Sequence, residues 1–468
     1  MEDAKTLARA RRQQMMLEDP MIRVIPAIAI PMIISAVIDS IYNLADTFFV
    51  SGLGEAATAA VAINDSLMNV LRAIAMGFAM GAASYISRLM GAKKDKQACN
   101  VATTTLALGS AFSLIVGLIC FAFRGWLVDL LGSTAEAHQH SVDYATWILL
   151  AAPFTTANVI MNQLLRSEGS TKIAMVGMCS GCILNCLLDP LFINVFQWGV
   201  GGAAAATALS KVFSCSVLAI PYIRKTAMLE LSPKHLYIDK KNMLEVARMG
   251  IPVFLRMSLM SFGGIVSNNV AKGFGTSILA GIAVANKLYR LIGSVIMGFA
   301  QGFNPVCGFC WGARKYKRAK ESYTTTLMIG FVGAFVLGLL MFIFARPLIS
   351  IFNSSGNEEM LSIGVLKIRM LCIVFIPHVF VMVTSNLFQS LGRPIGNLVL
   401  SMSRQLLLLI PLLLTLPHFF GSTGLAACQA VSDLLSAVCI ALPLCISIIK
   451  KINSLKDGDP PPFGKAGI

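Results

Sequence analysis

The chain has 468 residues, of which 56% are hydrophobic and only 13% charged, and its formal net charge is +15. So large an apolar share excludes an ordinary soluble domain, and charge-free runs such as 326–345 are long enough to cross a bilayer. The basic residues do not indicate a nucleic-acid partner, because they concentrate in alternate loops, as the positive-inside rule requires of a polytopic membrane protein.

Hydrophobic periodicity predicts an all-α polytopic membrane protein with twelve transmembrane helices. A cytoplasmic lead-in at 1–20 precedes the first helix, and the alternation of basic loops places both termini in the cytoplasm. The predicted helices are 21–50, 57–82, 99–123, 142–165, 171–195, 200–223, 245–272, 277–304, 322–346, 363–388, 394–417 and 421–449.

One long string occurs twice in the chain, first from Met76 to Ala98 and again from Met297 to Ala319. Ten of its positions are identical, where residue usage predicts roughly one or two by chance. Six predicted crossings separate the copies, so the chain is expected to form two parallel, pseudo-symmetric six-helix bundles. Each copy contains a GxxxG pair, which allows close helix approach in lipid. The predicted divisions are an N-lobe at 21–223, a cytoplasmic linker at 224–244, a C-lobe at 245–449 and a cytoplasmic tail at 450–468.

Polar residues lie on one face of the first predicted helix, where Asp39, Tyr42, Asn43 and Asp46 occur at positions i, i+3, i+4 and i+7. An aspartate at the bilayer centre costs about 2.5–3.5 kcal/mol on insertion scales, so each one requires a reason. The same helix contains Pro26 and Pro31, neither of which can donate a helix hydrogen bond; we expect a hinge there.

Further oxygens occur in the fifth and sixth predicted helices of the same half. Asn185 and Asp189 are one turn apart, and Thr207 is in the sixth helix. The second half has Leu408 and Leu412 where the first has Asn185 and Asp189. Carboxylate, amide and hydroxyl oxygens suit Na+, and buried carboxylates can also carry protons. The alternative is that these groups only satisfy one another in a polar helix interface.

The second half instead has basic residues inside predicted helices, where the first half has small or neutral polar residues. This contrast predicts one acidic bundle and one basic bundle, although long cationic side chains can also extend to the membrane surface. The basic residues are Arg256, Lys287, Arg290 and Arg404.

Four segments together resemble the multidrug and toxic compound extrusion (MATE) family, in particular its bacterial MepA-like and DinF-like members. The segments are YNLADTFFVSGLG, ILNCLLDPLF, GGAAAATALS and GFNPVCGFCWGARKYKRA. The resemblance implies two six-helix lobes around a central cavity. It also implies an antiporter that exports organic, often cationic, amphiphilic compounds in exchange for Na+ or H+.

The family's first-lobe cation site carries over to Asp46, Asn185, Asp189 and Thr207, with Tyr42 one turn before Asp46. These residues are the expected coupling site and the expected Na+ ligands. For the substrate cavity we expect four residues from the two halves, namely Asp39, Asn43, Arg256 and Arg290. Some family members have acidic residues in the seventh and tenth helices; here Met260 and Val381 occupy those regions, so no second-lobe cation site is expected.

Other functions are less well supported by the residues. A major facilitator usually has a GxxxDRxGRR-like loop after its second helix, whereas this loop reads MGAKKDKQ. A flippase for a lipid-linked or anionic amphiphile is the main alternative, because the second half is basic. An enzyme is not expected, since no HExxH or P-loop pattern occurs. We expect a monomer in the cell membrane with no cofactor beyond the coupling ion.

Overall fold

In the computed structural model the described residues are 11–352 and 357–460, and every regular element in those ranges is helical. Residues 11–17 form a short lead-in helix. The α-helices that follow are α1 (Met21–Ser51), α2 (Glu55–Gly91), α3 (Asp95–Ala122), α4 (Arg124–Leu130), α5 (His138–Leu150), α6 (Ala152–Ser167), α7 (Thr171–Pro190), α8 (Gly199–Ile223), α9 (Lys240–Lys272), α10 (Thr276–Gly312), α11 (Tyr316–Ser350), α12 (Glu358–Ile373), α13 (Phe375–Ser390), α14 (Pro394–Met402), α15 (Ile410–Leu435) and α16 (Leu442–Asn453).

The twelve-helix prediction is confirmed once bends are considered. In the described ranges, nine helical runs are long and apolar enough to span a membrane, and two bent pairs bring the number to eleven. The pairs are α5 with α6, bent by 51°, and α12 with α13, bent by 53°. The last run, Pro394–Asn453, contains two predicted helices, because Gly421 has φ 59° and ψ −142° and interrupts the helical backbone.

Equivalent turns in the two halves have nearly the same backbone conformation. Gly54 precedes α2 with φ 107°, and Gly275, its counterpart at the offset of the repeated string, precedes α10 with φ 103°. Positive φ is accessible to glycine at little cost. Lys93 and Arg314, which are related by the same offset, have φ of 58° and 59° in the basic turns after those helices. The duplication therefore extends to the backbone conformation of the loops.

The repeated glycines mark close helix crossings. A Cβ atom on Gly302 in α10 would lie 2.8 Å from Cα of Ala29 in α1. A Cβ atom on Gly81 in α2 would meet the backbone of Val246 and, at 3.0 Å, the nitrogen of Gly250 in α9. Thus α10, which contains the start of the second repeated string, packs against α1, the first helix of the first half. In the same way α2, which contains the start of the first repeated string, packs against α9, the first helix of the second half.

The chain divides by its contacts into two compact units, and two helices change unit along their length. Unit 1 contains residues 34–254, and unit 2 contains residues 19–33 and 255–462. The start of α1 therefore belongs to unit 2 and the start of α9 to unit 1. The changes fall two residues after Pro31 and Pro252, which are equivalent prolines. The predicted lobes at 21–223 and 245–449 remain a prediction.

The predicted tail at 450–468 is docked against the rest of the chain over its described part, which ends at residue 460. Tyr316 Oη donates to the backbone oxygen of Asp459 at 2.8 Å, and Lys317 N donates to Oδ1 of Asp457 at 3.1 Å. Gly458 N also donates to the oxygen of Arg314 at 3.0 Å. The tail therefore binds the second copy of the repeated string.

Candidate functional site

Three helices of unit 1 contribute the polar cluster that the sequence predicts. Tyr42 and Asp46 lie one turn apart on α1, and Asn185 and Asp189 one turn apart on α7. Thr207 lies on α8. In an α-helix, residues i and i+4 share a face, so each helix presents its polar groups toward the others. We call Tyr42, Asp46, Asn185, Asp189 and Thr207 the α1–α7–α8 cluster.

Thr207 connects the other two helices at the centre of this cluster. Its Oγ1 accepts a hydrogen bond from Nδ2 of Asn185 at 3.3 Å and lies 3.5 Å from the hydroxyl oxygen of Tyr42. All three side chains are buried. The alanine-rich turn before Thr207 lets α8 pack closely against its neighbours, because its side chains occupy little space.

The two carboxylates are buried without a full set of hydrogen-bond partners. Asp189 is completely buried, and neither of its carboxylate oxygens accepts a well-formed hydrogen bond. The amide of Asn185 is near enough to act on Asp189, but it donates to Thr207 instead. Asp46 is 9% exposed, and its Oδ1 is also unpartnered, as is Oδ1 of Asn185. A polar interface that only satisfies itself would not leave four buried oxygens unpaired.

Sequence reasoning missed two charged residues that act on Asp46. Lys211, one turn after Thr207 on α8, interacts electrostatically with Asp46, and its Nζ lies 5.4 Å from the ring centroid of Tyr42. Asp65 on α2 also acts on Asp46. The signal for Lys211 was present in the sequence, because its spacing from Thr207 places both on one face of α8.

The predicted substrate-cavity residues fall in separate units. Asp39 and Asn43 lie on α1 in unit 1, where Nδ2 of Asn43 donates to the backbone oxygen of Asp39 at 2.5 Å. Asn43 is exposed and Asp39 is half-buried. In unit 2, Arg256 is half-buried and Arg290 is exposed. Their role in a substrate cavity stays a prediction.

Unit 2 contains a buried charged cluster that we did not predict. Asp433 accepts hydrogen bonds from Nε of Arg404 at 2.5 Å and from the hydroxyl of Tyr289 at 3.4 Å. Nδ1 of His378 lies 3.4 Å from Oδ2 of Asp433. The expectation of a basic second bundle is therefore incomplete, because Asp433 neutralises Arg404. This ion pair is internally compensated, unlike the α1–α7–α8 cluster.

A further buried carboxylate, Glu168, lies between α6 and α7, outside the spans. Its Oε2 accepts from the backbone nitrogens of Met228 and Leu229 at 2.7 and 3.0 Å, and its Oε1 accepts from the hydroxyl of Ser170 at 2.5 Å. Arg12 lies 3.8 Å away. Burial raises the pKa of Glu168, although its hydrogen bonds oppose the shift. Glu168 thus fixes the linker to the loop after α6.

Within the described ranges, no three His, Cys, Asp or Glu side chains converge in an arrangement typical of a metal site. The α1–α7–α8 cluster differs from such a site, because three of its five residues contribute an amide, hydroxyl or phenol oxygen in place of a carboxylate, thiol or imidazole. Such mixed neutral oxygens with one or two carboxylates suit weakly held monovalent cations and protons better than tightly bound transition metals. The Na+ ligand set therefore stays a prediction.

Comparison with known proteins accounts for both the duplication and the fold. A family model described as MatE matches residues 31–191 and again residues 252–415, whose first residues have the same spacing as the two copies of the repeated string. The multidrug export protein MepA of Staphylococcus aureus (strain MSSA476) is 25% identical over 427 residues, which cover 91% of this chain and 94% of MepA. MepA of Staphylococcus saprophyticus is 26% identical and covers 88% of this chain and 91% of its own length.

A solved structure extends the similarity to three dimensions. It is described as the outward-facing conformation of a multidrug resistance MATE family transporter of the MOP superfamily. Its TM-score is 0.89 at 26% identity, covering 94% of this chain and 98% of that one. The chain belongs to the MatE family and is a multidrug efflux transporter with membrane-spanning helices.

Proposed function

We propose that this transporter exports amphiphilic organic compounds in exchange for the entry of Na+ or H+, and that the α1–α7–α8 cluster is the coupling site. One observation carries the proposal: Asp189 is fully buried and neither of its oxygens accepts a well-formed hydrogen bond. An ionised carboxylate is costly to bury unless a positive charge compensates it. Binding of a cation or a proton therefore stabilises this cluster, and release destabilises it.

The geometry supports a coupling role because the oxygens come from three different helices. A cation held by Asp46, Asn185 and Thr207 ties α1 to α7 and α8, and its release removes that tie. An ion can drive transport only if it binds two conformations with different affinity. Oxygens on separate helices meet this requirement, since a small displacement of α1 changes their distances.

The movable part of the proposed cycle is α1. Pro31 cannot donate a hydrogen bond to the preceding turn, and a buried proline kinks or weakens a helix at that point. The change of contacts from unit 2 to unit 1 falls at residues 33 and 34, two residues beyond Pro31. We therefore place a hinge at Pro26 and Pro31, so that the half carrying Asp46 can move with unit 1.

The decisive experiment replaces each carboxylate by its neutral isostere. Asp46→Asn and Asp189→Asn should abolish efflux of a fluorescent dye from cells while the protein remains in the membrane at the wild-type level. Asp129→Asn is the matched control, because Asp129 is exposed and lies outside the cluster. Wild-type efflux by both cluster variants, at wild-type abundance, would reject this coupling site.

The coupling ion is identified by imposing Na+ and pH gradients separately on proteoliposomes. If the proposal is right, one of the two gradients drives uptake of dye by the wild type, and neither drives it in Asp189→Asn. We propose further that the transporter acts as a monomer in the cell membrane, with both termini in the cytoplasm. The latter follows from the basic loops and is tested by labelling of single cysteines from each side.

A second candidate is export or flipping of anionic amphiphiles, and Arg256 favours it. Arg256 is half-buried, and among the described residues it forms no ion pair or hydrogen bond. A cationic dye, ethidium, and an anionic dye, calcein, distinguish the candidates. Transport of ethidium with no transport of calcein supports organic cations. The reverse, with loss of transport in Arg256→Gln, supports the anionic class.

A further inference from the structure

Lys211 is a charged residue at the centre of a span, where a charge requires compensation. It is the thirteenth residue of α8, which has 25 residues. It is half-buried, and it follows Thr207 by one turn. Among the described residues it forms no ion pair within 4 Å, yet its ammonium lies over the ring of Tyr42, 5.4 Å from the centroid. An ammonium in that position is attracted to the face of the ring.

The duplicated chain has a residue of opposite charge at the equivalent position. The segment from Gly199 to Lys211 aligns without a gap with the segment from Gly421 to Asp433. In unit 2, Asp433 compensates the buried cation Arg404. In unit 1, Lys211 acts on the buried anion Asp46. The same place in each half thus holds the counter-charge of a buried cluster of the opposite sign.

We propose that Lys211 is the resident counter-cation of the α1–α7–α8 cluster and sets its cation requirement at one monovalent charge. With Lys211 protonated and both aspartates ionised, the three groups sum to one negative charge. A single Na+ or proton then neutralises these three groups. Lys211 also repels that cation and so keeps its affinity low enough for release. The proposal rests on the cluster's being the coupling site.

Lys211 is a positioning residue that acts through Asp46 and Tyr42. It does not itself contact the transported compound in this proposal. The other titratable groups that act on the cluster carry either negative charge or none at neutral pH, so none of them can replace the lysine. They are Asp39, Asp65, Tyr144 and Cys186, and Cys182 acts on Lys211 itself.

The test is a binding equilibrium on the purified full-length protein, so it does not require a transport measurement. Na+ alone is titrated against a constant ionic strength of choline, and the rise in melting temperature reports binding to the folded state. Lys211→Met removes the charge and keeps the length of the side chain; Lys211→Arg keeps the charge. We expect Lys211→Met to reach a given Na+-dependent rise in melting temperature at a Na+ concentration roughly tenfold or more below that needed by wild type, by Coulomb attraction alone.

The expected pattern has two further parts. Lys211→Arg behaves like wild type, and adding Asp189→Asn to Lys211→Met removes the gain in Na+ affinity. An equal Na+ dependence in wild type and Lys211→Met overturns the proposal, as does the absence of Na+ stabilisation in every variant. If Lys211→Met does not fold, Lys211→Gln is measured under the same criteria. A wild type that transports no dye under either gradient rejects the proposed function, whereas this titration decides the role of Lys211 separately.

Discussion

The close crossing of α10 with α1 makes a quantitative prediction. A Cβ atom on Gly302 would lie 2.8 Å from both Cα and Cβ of Ala29, whereas non-bonded carbons prefer about 3.5–4.0 Å. Neither atom of Ala29 can rotate away, so the two helices must separate. Forcing extra volume into a packed contact costs about 1–3 kcal/mol. The substitution also gains about 1 kcal/mol, because alanine has a higher helix propensity than glycine.

A matched substitution isolates the packing cost. Gly333 lies inside α11, and a Cβ atom there would meet nothing within 4 Å. Gly302→Ala and Gly333→Ala gain the same propensity, so their difference in stability is the packing cost alone, about 1–3 kcal/mol. Detergent-solubilised protein is heated, and the fraction that remains monodisperse is measured by size-exclusion chromatography. Gly302→Ala should lose half its monodisperse fraction at a lower temperature than Gly333→Ala. An equal or higher temperature would refute the reasoning.

Three further predictions concern charges and contacts outside the α1–α7–α8 cluster. Asp433→Asn leaves Arg404 buried without its partner and should cost about 3–5 kcal/mol; the same heating assay should show a large loss, with the exposed Asp457→Asn as control, and an unchanged stability would contradict the pairing. Because burial raises the folded-state pKa of Glu168 above its unfolded value of about 4.3, its contribution to stability is present below pH 4 and is lost as the pH rises through the folded pKa. As the pH rises from 4 to 8, Glu168→Gln should therefore become more stable relative to wild type. A relative loss of stability over that range would contradict the raised pKa of Glu168. Tyr316→Phe removes the hydrogen bond to Asp459, worth about 0.5–1.5 kcal/mol, so trypsin should cleave faster after Lys456; cleavage at the wild-type rate would show that the bond does not hold the tail.

The residues of the α1–α7–α8 cluster were predicted one by one from the sequence, but how the three helices are rotated toward one another was not. Asn185 and Asp189 were identified because their spacing is visible in the sequence. The structure joins Asn185 to Thr207 at 3.3 Å and places the hydroxyl of Tyr42 3.5 Å from Thr207. Lys211 shares a face with Thr207 by the same spacing rule. It was missed because one lysine in an apolar run also fits a side chain that extends to the membrane surface.

The ion pair of Asp433 with Arg404, by contrast, could not be predicted from the sequence. Arg404 and Asp433 are 29 residues apart, and no spacing rule relates them. Their ion pair depends on how α15 and the π-helical turn Ser403–Leu409 are rotated toward each other. Such rotation is decided by side-chain packing between helices, which hydropathy does not encode.

The sequence by itself determined the membrane class, the twelve spans, the duplication and the acidic character of one half. These features depend on local quantities, namely the length of apolar runs, the offset between repeats and the spacing of residues along one helix. Only the tertiary structure decided which buried charges are compensated and where α1 and α9 change unit. Both depend on contacts between distant segments, and a buried carboxylate is stable or unstable according to the few atoms that happen to surround it.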